Sequence, residues 1–366
     1  MNKYESIPQM RPLFGEPEKL EIIAYLEGDG FITEYKKTEE LEIEIAKFVG
    51  AKHCVVVNNG TISLTLGALA LDIRSGDEVI VPNYTMIATP NSVKILGAQP
   101  IFVDVEPDTL VADIELVRKA ITKRTKAIML VSANGRSPAV GIAEFEALSS
   151  VTGIPIIEDS AQSLGSYFPD GRHIGRAGRV GSFSFSTSKI ISTGQGGALI
   201  TDDDLLAMKI RRLKDFGRAT GGIDVHDTIG YNFKFTELQA CVGLAQMQQL
   251  PARVLRKKEI WSLYRKNLEG ILGIHVFQHD LKFCTPWFID IQAEDRESLI
   301  THLSEAGIGT RRMYPPINEQ KCYKTPGSFK ISEKIGRQGL WLPSMIQISN
   351  NEIERICELI RNFYSR

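Results

Sequence analysis

The sequence lacks the features that mark membrane, secreted and nucleic-acid-binding proteins. Its 366 residues carry 43 basic and 44 acidic side chains, and a net charge of −1 gives no overall attraction for nucleic acid or an anionic membrane. No stretch approaches the about 18 uninterrupted apolar residues of a membrane-spanning helix, and the N-terminal segment has no apolar core of signal-peptide length. We therefore expect a cytoplasmic protein that binds neither nucleic acid nor membrane.

Cysteine and histidine are scarce and scattered, which argues against disulfides and metal ligands. The five cysteines include no CxxC pair and are odd in number, so we expect structural thiols in a reducing compartment. They are Cys54, Cys241, Cys284, Cys322 and Cys357. The six histidines include no HExxH, and His275 and His279 lie four residues apart in a segment typical of a strand. The sequence therefore predicts no metal site.

Two phosphate-binding motifs are also missing. There is no GxGxxG and no GxxxxGK[ST], so the dinucleotide-binding and P-loop classes lose their main support. The composition, 43% hydrophobic and 24% charged, is that of an ordinary globular protein. At about 150 residues per domain, the length predicts two domains, or one large domain with an appendage.

From residue 53 onward, short β-branched runs alternate with amphipathic stretches. The predicted strands are residues 53–58, 78–82, 100–105, 126–132, 154–159, 179–186 and 197–201. The predicted helices between them are residues 61–71, 88–96 and 114–121. This alternation predicts right-handed βαβ crossovers, and therefore an α/β fold whose mainly parallel sheet has helices on both faces.

A long helical stretch interrupts the alternation. It runs from Thr236 to about Leu268, and Pro251 inside it should kink or split the helix. A short strand region, another helix, a loop rich in Pro and Tyr and a last helix follow. We therefore predict a large domain at 1–248 and a smaller C-terminal α+β domain at 249–366.

Two strand ends carry candidate ligand-binding residues, because open α/β sheets bind ligands at the carboxyl ends of their strands. The first strand runs into residues 58–61, Asn-Asn-Gly-Thr, where a helix N-terminus favours an anion. An ordinary helix cap explains the same residues. The fifth strand ends in Glu158 and Asp159, which need a cation, a metal or a ligand nitrogen if they are buried. A helix N-cap is the alternative there.

The segment from Ser182 to Gly197 is the most informative one. Ser and Phe alternate over residues 182–186, which gives the strand a hydroxyl face and an aromatic face. Lys189 follows among apolar neighbours and is a candidate for a lowered pKa and Schiff-base chemistry, with a solvated surface lysine as the alternative. Residues 186–189 also match the SxxK of serine acyl-enzymes, but the SDN and KTG segments of that class are absent.

Four segments together resemble one protein family. They are GDEVIVPNYTMIAT, IPIIEDSAQSLGS, GSFSFSTSKIISTGQGGALIT and IGYNFKFTELQACVGLAQM. In their order and spacing they resemble the DegT/DnrJ/EryC1/StrS group of nucleotide-sugar aminotransferases, and the resemblance extends from about Ile7 to the C-terminus. It implies a fold-type-I enzyme that depends on pyridoxal 5′-phosphate (PLP) and acts as an aminotransferase in amino-sugar biosynthesis.

The resemblance also implies roles for individual residues around the PLP ring. Lys189 would form the internal aldimine, a Schiff base with PLP, and would later shuttle a proton. Asp159 would pair with the pyridinium nitrogen, so that the ring acts as an electron sink. Gln162 would lie near the phenolic oxygen of the ring.

The cofactor phosphate has its own set of implied ligands. Ser184 and the N–H groups around Gly60 and Thr61 would hold it, and Asn232 of the neighbouring subunit would complete the site. The resemblance therefore implies a homodimer with shared active sites. L-glutamate would donate the amino group, and the acceptor would be the 4-keto carbon of a nucleotide-linked 6-deoxyhexose.

Several positions on the substrate side depart from the family pattern. Met86 stands where a ring-stacking aromatic residue is usual, and Tyr84 is an alternative for stacking. Arg136 is a new cation in its loop and could read a phosphate or carboxylate. Asn318 replaces a substrate-side histidine, and Tyr314 is a further candidate substrate contact.

These departures leave two alternatives open. The acceptor could be a smaller phosphorylated or acidic carbonyl compound, used by a PLP aminotransferase of the same architecture. The other alternative is a non-enzymatic regulator that only binds PLP or a sugar nucleotide. A sensor of that kind needs neither the lysine nor the aspartate.

Overall fold

A seven-stranded sheet forms the larger part of the fold. The computed structural model of the chain describes residues 6–28 and 30–365. The strands of this first sheet are β1 (His53–Val57), β2 (Glu78–Pro82), β3 (Gln99–Val103), β4 (Thr125–Val131), β5 (Ile156–Asp159), β6 (Val180–Ser184) and β7 (Gly197–Thr201). Their order in the sheet is β1-β7-β6-β5-β4-β2-β3. Every strand predicted from the sequence is present, with ends that agree within about two residues.

Six of these strands run in one direction, and only β7 opposes its neighbours β6 and β1. The reason is the connection from β6 to β7, residues 185–196, which contains no helix and so makes no crossover. Lys189 lies in this connection, just beyond the carboxyl end of β6.

Helices cover both faces of the first sheet. In β4, Ile128 and Leu130 belong to one hydrophobic cluster and Ala127 and Met129 to another, because successive side chains point to opposite faces. The helices of both parts of the fold are α1 (Glu16–Leu26), α2 (Lys36–Val49), α3 (Gly60–Ala70), α4 (Ala88–Lys94), α5 (Ile114–Ala120), α6 (Ile142–Thr152), α7 (Asp204–Lys214), α8 (Glu237–Leu268), α9 (Arg296–Glu305), α10 (Lys330–Gln338) and α11 (Asn350–Tyr364). The predicted α/β class with a mainly parallel sheet is confirmed.

A smaller antiparallel sheet forms the second part of the fold. Its strands are β8 (Ile274–Val276), β9 (Ile289–Ala293), β10 (Arg311–Arg312) and β11 (Gly339–Leu342), in the order β10-β11-β9-β8. It has its own hydrophobic cluster, which includes Tyr264 of α8, Leu303 of α9 and Ile356 of α11. The expected C-terminal α+β part is therefore present, while the boundary at residue 248 stays a prediction and falls inside α8.

Pro251 is expected to kink or split the long helix, and the split is wrong, because α8 is one helix of 32 residues with Pro251 inside it. Proline removes one backbone hydrogen bond, but packing at both ends of the helix outweighs that loss. Leu250, just before the proline, is buried in the core of the first sheet, and Ile260 and Tyr264 are buried in that of the second. Pro251 itself lies on the exposed side.

The structure also bears on membrane-spanning helices and on the state of the cysteines. No helix in the described part of the chain is both long and apolar enough to cross a membrane. All five cysteines are free thiols, and only Cys322 is exposed.

Candidate active site

A cavity of about 280 Å³ opens at the carboxyl edge of the first sheet, with residues near the second sheet in its wall. Most of the predicted site residues line it. They are Gly60, Thr61, Met86, Asp159, Gln162, Ser184, Lys189 and Tyr314. Arg136, Asn232 and Asn318 lie elsewhere. The structure therefore brings together, within one chain, all of the predicted cofactor residues except Asn232.

Lys189 lies in a turn that follows β6, where its backbone N–H donates to the carbonyl of Ser186 at 2.9 Å. Its Nζ lies 4.1 Å from the centre of the Trp287 ring. Desolvation in the cavity lowers the pKa of this amine to about 8; Asp159 opposes the shift and Arg311 reinforces it. An amine that titrates near neutral pH can act as a nucleophile and as a base.

Asp159 ends β5 and is 6% exposed. One carboxylate oxygen accepts the hydroxyl of Thr89 at 2.7 Å, and the other accepts the N–H of Ala161 at 3.2 Å. Burial raises the pKa of the carboxyl, and these two hydrogen bonds together with Lys189 oppose that rise. The hydrogen bonds fix the carboxylate in place while its charge has no partner ion within the described residues.

Glu158 shows how differently a neighbouring carboxylate is used. Its side chain points to the opposite face of β5, because side chains alternate along a strand. Burial raises its pKa to about 7. Its oxygens accept three backbone N–H groups, those of Gly175, Ala177 and Gly178. Glu158 therefore holds a loop, and only Asp159 belongs to the site.

The N-terminus of α3 is both capped and open. Asn59 is the N-cap, and its Oδ1 accepts the N–H of Ile62 at 2.9 Å. The amides of Gly60 and Thr61 have no acceptor inside the helix, as in the first turn of any helix. A Cβ on Gly60 would lie 2.7 Å from the Cβ of Ser184, so glycine lets the helix end approach β6. Asn59 can therefore cap α3 while the amides of Gly60 and Thr61 remain available to an anion.

Gln162 and Met86 form two other parts of the wall. The Oε1 of Gln162 accepts the backbone N–H of Asn134 at 2.7 Å, and this bond uses neither of the two N–H donors of the side-chain amide. Met86 is 44% exposed on the cavity surface. Tyr84 is buried in a hydrophobic cluster and does not line the cavity, and its ring centre lies 6.1 Å from that of Tyr314. Its surroundings give no support to a stacking role.

Arg136 does not line this cavity, and each of its three nitrogens already donates to an acceptor inside the protein. The side chain is 5% exposed. Its Nη2 donates to Asp290 at 2.7 Å, its Nη1 to the Nε2 of His279 at 2.9 Å and its Nε to the carbonyl of Thr109 at 2.9 Å. A buried guanidinium needs such partners to offset its desolvation. The prediction that Arg136 reads an anionic substrate therefore has no support in its surroundings.

Asn318 is also engaged inside the protein. Its Oδ1 accepts the amide of Asn83 at 2.8 Å, and its backbone N–H donates to the Oδ1 of Asn83 at 2.9 Å. This pair ties the loop after β10 to the end of β2. Asn318 is thus placed to hold that loop, outside the cavity of Lys189.

Asn232 lies on the surface of the chain, outside its own cavity. It belongs to a loop whose large apolar side chains are exposed. These are Phe216, Ile223, Val225, Ile229 and Tyr231. Exposed apolar groups of this extent are typical of an interaction surface.

Sequence reasoning missed Trp287 and Arg311, which both line the cavity. Arg311 forms no ion pair within residues 6–28 and 30–365, and its guanidinium lies 5.3 Å from the ring centre of Trp341. Arg312, the next residue, pairs with Glu297 on the surface. Consecutive strand residues face opposite ways, so only the sheet register shows which arginine meets the cavity. The described residues contain no cluster of His, Cys, Asp and Glu suited to a metal ion.

The sequence and the fold both match one family. Residues 14–361 match the DegT/DnrJ/EryC1/StrS aminotransferase family. This chain belongs to that family. The assignment confirms the predicted family, the predicted aminotransferase activity and the predicted PLP cofactor.

Three relatives illustrate the similarity. The GDP-perosamine synthase of Escherichia coli O157:H7 is 35% identical over 363 residues, which cover 98% of this chain and 99% of that protein. The structure of DesV from S. venezuelae in complex with a ketimine intermediate has a TM-score of 0.90 and 30% identity, covering 98% and 99% of the two chains. The structure of DesI in the presence of its TDP-sugar product has a TM-score of 0.92 and 28% identity, covering 99% and 94%.

Proposed function

We propose that this protein transfers the amino group of L-glutamate to the keto carbon of a nucleotide-linked 4-keto-6-deoxyhexose, as a cytoplasmic homodimer. The main support for this proposal is that one cavity contains the Lys189 amine, the Asp159 carboxylate and the first amides of α3. The sugar substrate is supported by two relatives, one named for a GDP-linked sugar and one whose structure was solved in the presence of its TDP-sugar product. Free thiols throughout the chain are consistent with a reducing compartment.

The residues of the cavity fit PLP by their chemistry. When bound, PLP supplies an electron sink for the electron pair that proton removal leaves behind. Asp159 would hold a proton on the ring nitrogen, since its buried charge needs a cationic partner. Thr89 and Ala161 fix the direction of that carboxylate.

The cofactor phosphate would bind to groups that carry no full charge. The open amides of Gly60 and Thr61 and the hydroxyl of Ser184 line one end of the cavity. A helix N-terminus of this kind binds a dianion well. The partner's Asn232 would complete the site, and the exposed apolar loop that carries Asn232 supports such a contact between subunits.

Lys189 would move the proton during the reaction. Its Nζ reaches into the cavity, and its pKa of about 8 lets it accept a proton near neutral pH and return it. An ordinary surface lysine would stay protonated at the same pH. This is the chemical reason for its position in the cavity beside Trp287.

Arg311 would bind an anionic group of a substrate. It lines the cavity, and its positive charge has no carboxylate partner in the part of the chain described above. Glutamate and a nucleotide sugar both carry anions, so two substrates share this chemistry. Measuring each half-reaction separately distinguishes the two sources.

The cofactor assignment is tested by absorbance and by chemical fixation. We expect the purified protein to carry a visible absorbance band and borohydride to fix the cofactor to the peptide that contains Lys189. Lys189→Ala should lose both, while the surface variant Lys282→Ala should keep both. Fixation at another lysine, or an unchanged band in Lys189→Ala, would refute the role of Lys189.

The substrate is tested with the pyridoxamine form of the protein. We expect it to aminate nucleotide-linked keto sugars and to leave small keto phosphates unchanged. Turnover of the small keto phosphates alone would mean that the acceptor is a smaller compound and not a nucleotide-linked sugar. A protein that binds PLP but aminates neither class would be the non-enzymatic regulator.

The shared site is tested by mixing two inactive variants. Lys189→Ala supplies an intact Asn232, and Asn232→Ala supplies an intact lysine. If Asn232 acts across the subunit interface, each mixed dimer regains one complete site, and activity and PLP retention return. No recovery in proven mixed dimers would mean that Asn232 acts within its own chain.

A further inference from the structure

Trp287 contacts the turn that carries Lys189 in two ways. It lies just before β9, is 4% exposed and lines the cavity. The Nζ of Lys189 lies 4.1 Å from the centre of its ring. Its indole N–H donates to the carbonyl of Ser188 at 2.7 Å. One side chain therefore holds both the backbone next to the lysine and the end of the lysine side chain.

Trp287 is itself held from the side of the second sheet. The Nζ of Lys257, a buried residue of α8, donates to the carbonyl of Trp287 at 2.7 Å. The ring stacks on Phe288 with centres 3.8 Å apart and meets Trp341 edge to face at 5.7 Å. A tryptophan that is fixed by its backbone and by two rings provides a rigid surface.

We propose that Trp287 is the positioning residue for the free amine of Lys189. Whenever this amine is not bound to the cofactor, the indole face holds it at one place in the cavity, ready for proton transfer. The proposal rests on the proposed function, in which Lys189 moves the proton.

The physical need for such a residue follows from the lysine side chain. Lysine has four flexible carbon–carbon bonds, and an amine must come within hydrogen-bond reach of the atom whose proton it takes. An aromatic face attracts the protonated amine and so reduces this freedom. The same attraction opposes the desolvation that lowers the pKa of Lys189 to about 8.

The test compares Trp287→Leu and Trp287→Phe with Trp261→Phe, which alters a buried tryptophan in the hydrophobic cluster of the second sheet. Leucine removes the aromatic face but keeps the site apolar, and phenylalanine keeps a weaker face without the indole N–H. We expect kcat to fall by about 10–100-fold in the leucine variant with KM unchanged, and by less in the phenylalanine variant. Trp261→Phe should match the wild type.

A second readout does not depend on turnover. In the full chain loaded with pyridoxamine phosphate, the pH dependence of reductive methylation at Lys189 can be followed by peptide mass spectrometry. Loss of the aromatic face should move the midpoint to lower pH by about one unit in Trp287→Leu. Trp287→Phe should shift it less, and Trp261→Phe should leave it in place.

Two results would overturn the proposal. One is a midpoint in Trp287→Leu that is unchanged or higher than in the wild type. The other is a loss of kcat that is equal in the leucine and phenylalanine variants with a matching rise in KM. Failure of the proposed function looks different, because the wild-type protein would then lack fixation at Lys189 altogether.

Discussion

The active site and the cluster around Arg136 treat charged side chains in opposite ways. In the active site, Lys189, Asp159 and Arg311 line one cavity, and none of them forms an ion pair within the described ranges, 6–28 and 30–365. Around Arg136, the guanidinium, Asp290 and the neutral His279 satisfy one another. Charges without partners in a cavity are suited to a ligand, and charges that are fully paired are suited to holding a fold.

This difference helps to distinguish a structural arginine from one that can bind a ligand, when the sequence gives no reason to prefer either. Arg136 and Arg311 both occur in loops or short strands near polar residues, and sequence reasoning chose Arg136. The structure gives each nitrogen of Arg136 an acceptor and leaves Arg311, which lines the cavity, without an ion pair in the described residues. The partners that an arginine already has, rather than its novelty against a family pattern, therefore choose Arg311 as the arginine to test for substrate binding.

The largest expected effect is on stability, from Arg136→Met. It leaves Asp290 buried without its partner, which should cost about 3–5 kcal/mol in the free energy of unfolding, measured by denaturant titration. KM should stay unchanged in whatever protein remains folded, and Arg312→Met is the exposed control. A raised KM at unchanged stability would return Arg136 to the substrate site.

The next effect is on catalysis, from Asp159→Asn. Loss of the charge that faces the cofactor should lower kcat by about 100–1000-fold. Stability should not fall, because this carboxylate has no ion-pair partner to lose. Asp290→Asn is the matched control and should behave in the opposite way, with lower stability and little change in kcat. If both variants lost stability and kcat to the same extent, the active site and the cluster around Arg136 would not differ in the way described above.

A smaller effect is expected from Arg311→Met. Loss of a charged hydrogen bond to a substrate anion should raise one KM by about 10–100-fold. Measuring glutamate and the keto sugar in separate half-reactions shows which anion Arg311 binds. Arg312→Met should change neither, and unchanged values in both variants would exclude Arg311 as an anion contact.

The smallest expected effect is on the pH dependence of stability, through His279 in the cluster around Arg136. The Nε2 of His279 accepts from Arg136 at 2.9 Å, so the ring is neutral, and burial with Arg136 nearby lowers its pKa to about 4. The unfolded chain, with a histidine pKa of about 6.5, binds more protons between these values, so stability should fall as pH decreases through this range.

The expected loss between pH 7 and pH 5 is about 1–2 kcal/mol in the free energy of unfolding. Asp290 attracts the protonated His279 ring and so reduces this loss of stability, while Arg136 repels the ring and increases the loss. Chemical unfolding at several pH values should show the loss in the wild type, and His279→Gln should reduce it. An equal pH dependence in both proteins would assign the effect to other groups.

Local patterns predicted the strands of the first sheet closely and the second part in outline, without its short strands β10 and β11 or helix α10. Buried β-branched runs such as residues 78–82 have few alternatives, so their strands agree with the structure. Pro251 shows the limit, since tertiary packing at both ends of α8 kept a helix that local rules would split. The two-residue strand β10 has too little pattern to be read from the sequence.

Site residues could be predicted where a strand end carries an unusual side chain. Lys189, Asp159 and Gly60 follow buried strands and were found in that way. Trp287 could not be found, because its role depends on a contact across about 100 residues of sequence with the turn of Lys189. Asn232 came only from the family resemblance, and its part in the site stays a prediction.

The continuous helix α8 has a consequence for engineering. Its 32 residues make a rod about 48 Å long that serves both sheets. Separate expression of the two parts would cut this rod and leave two half-helices, each with an apolar face and no partner. Circular permutation or insertion of a reporter should therefore be directed to the surface loops and kept out of residues 237–268.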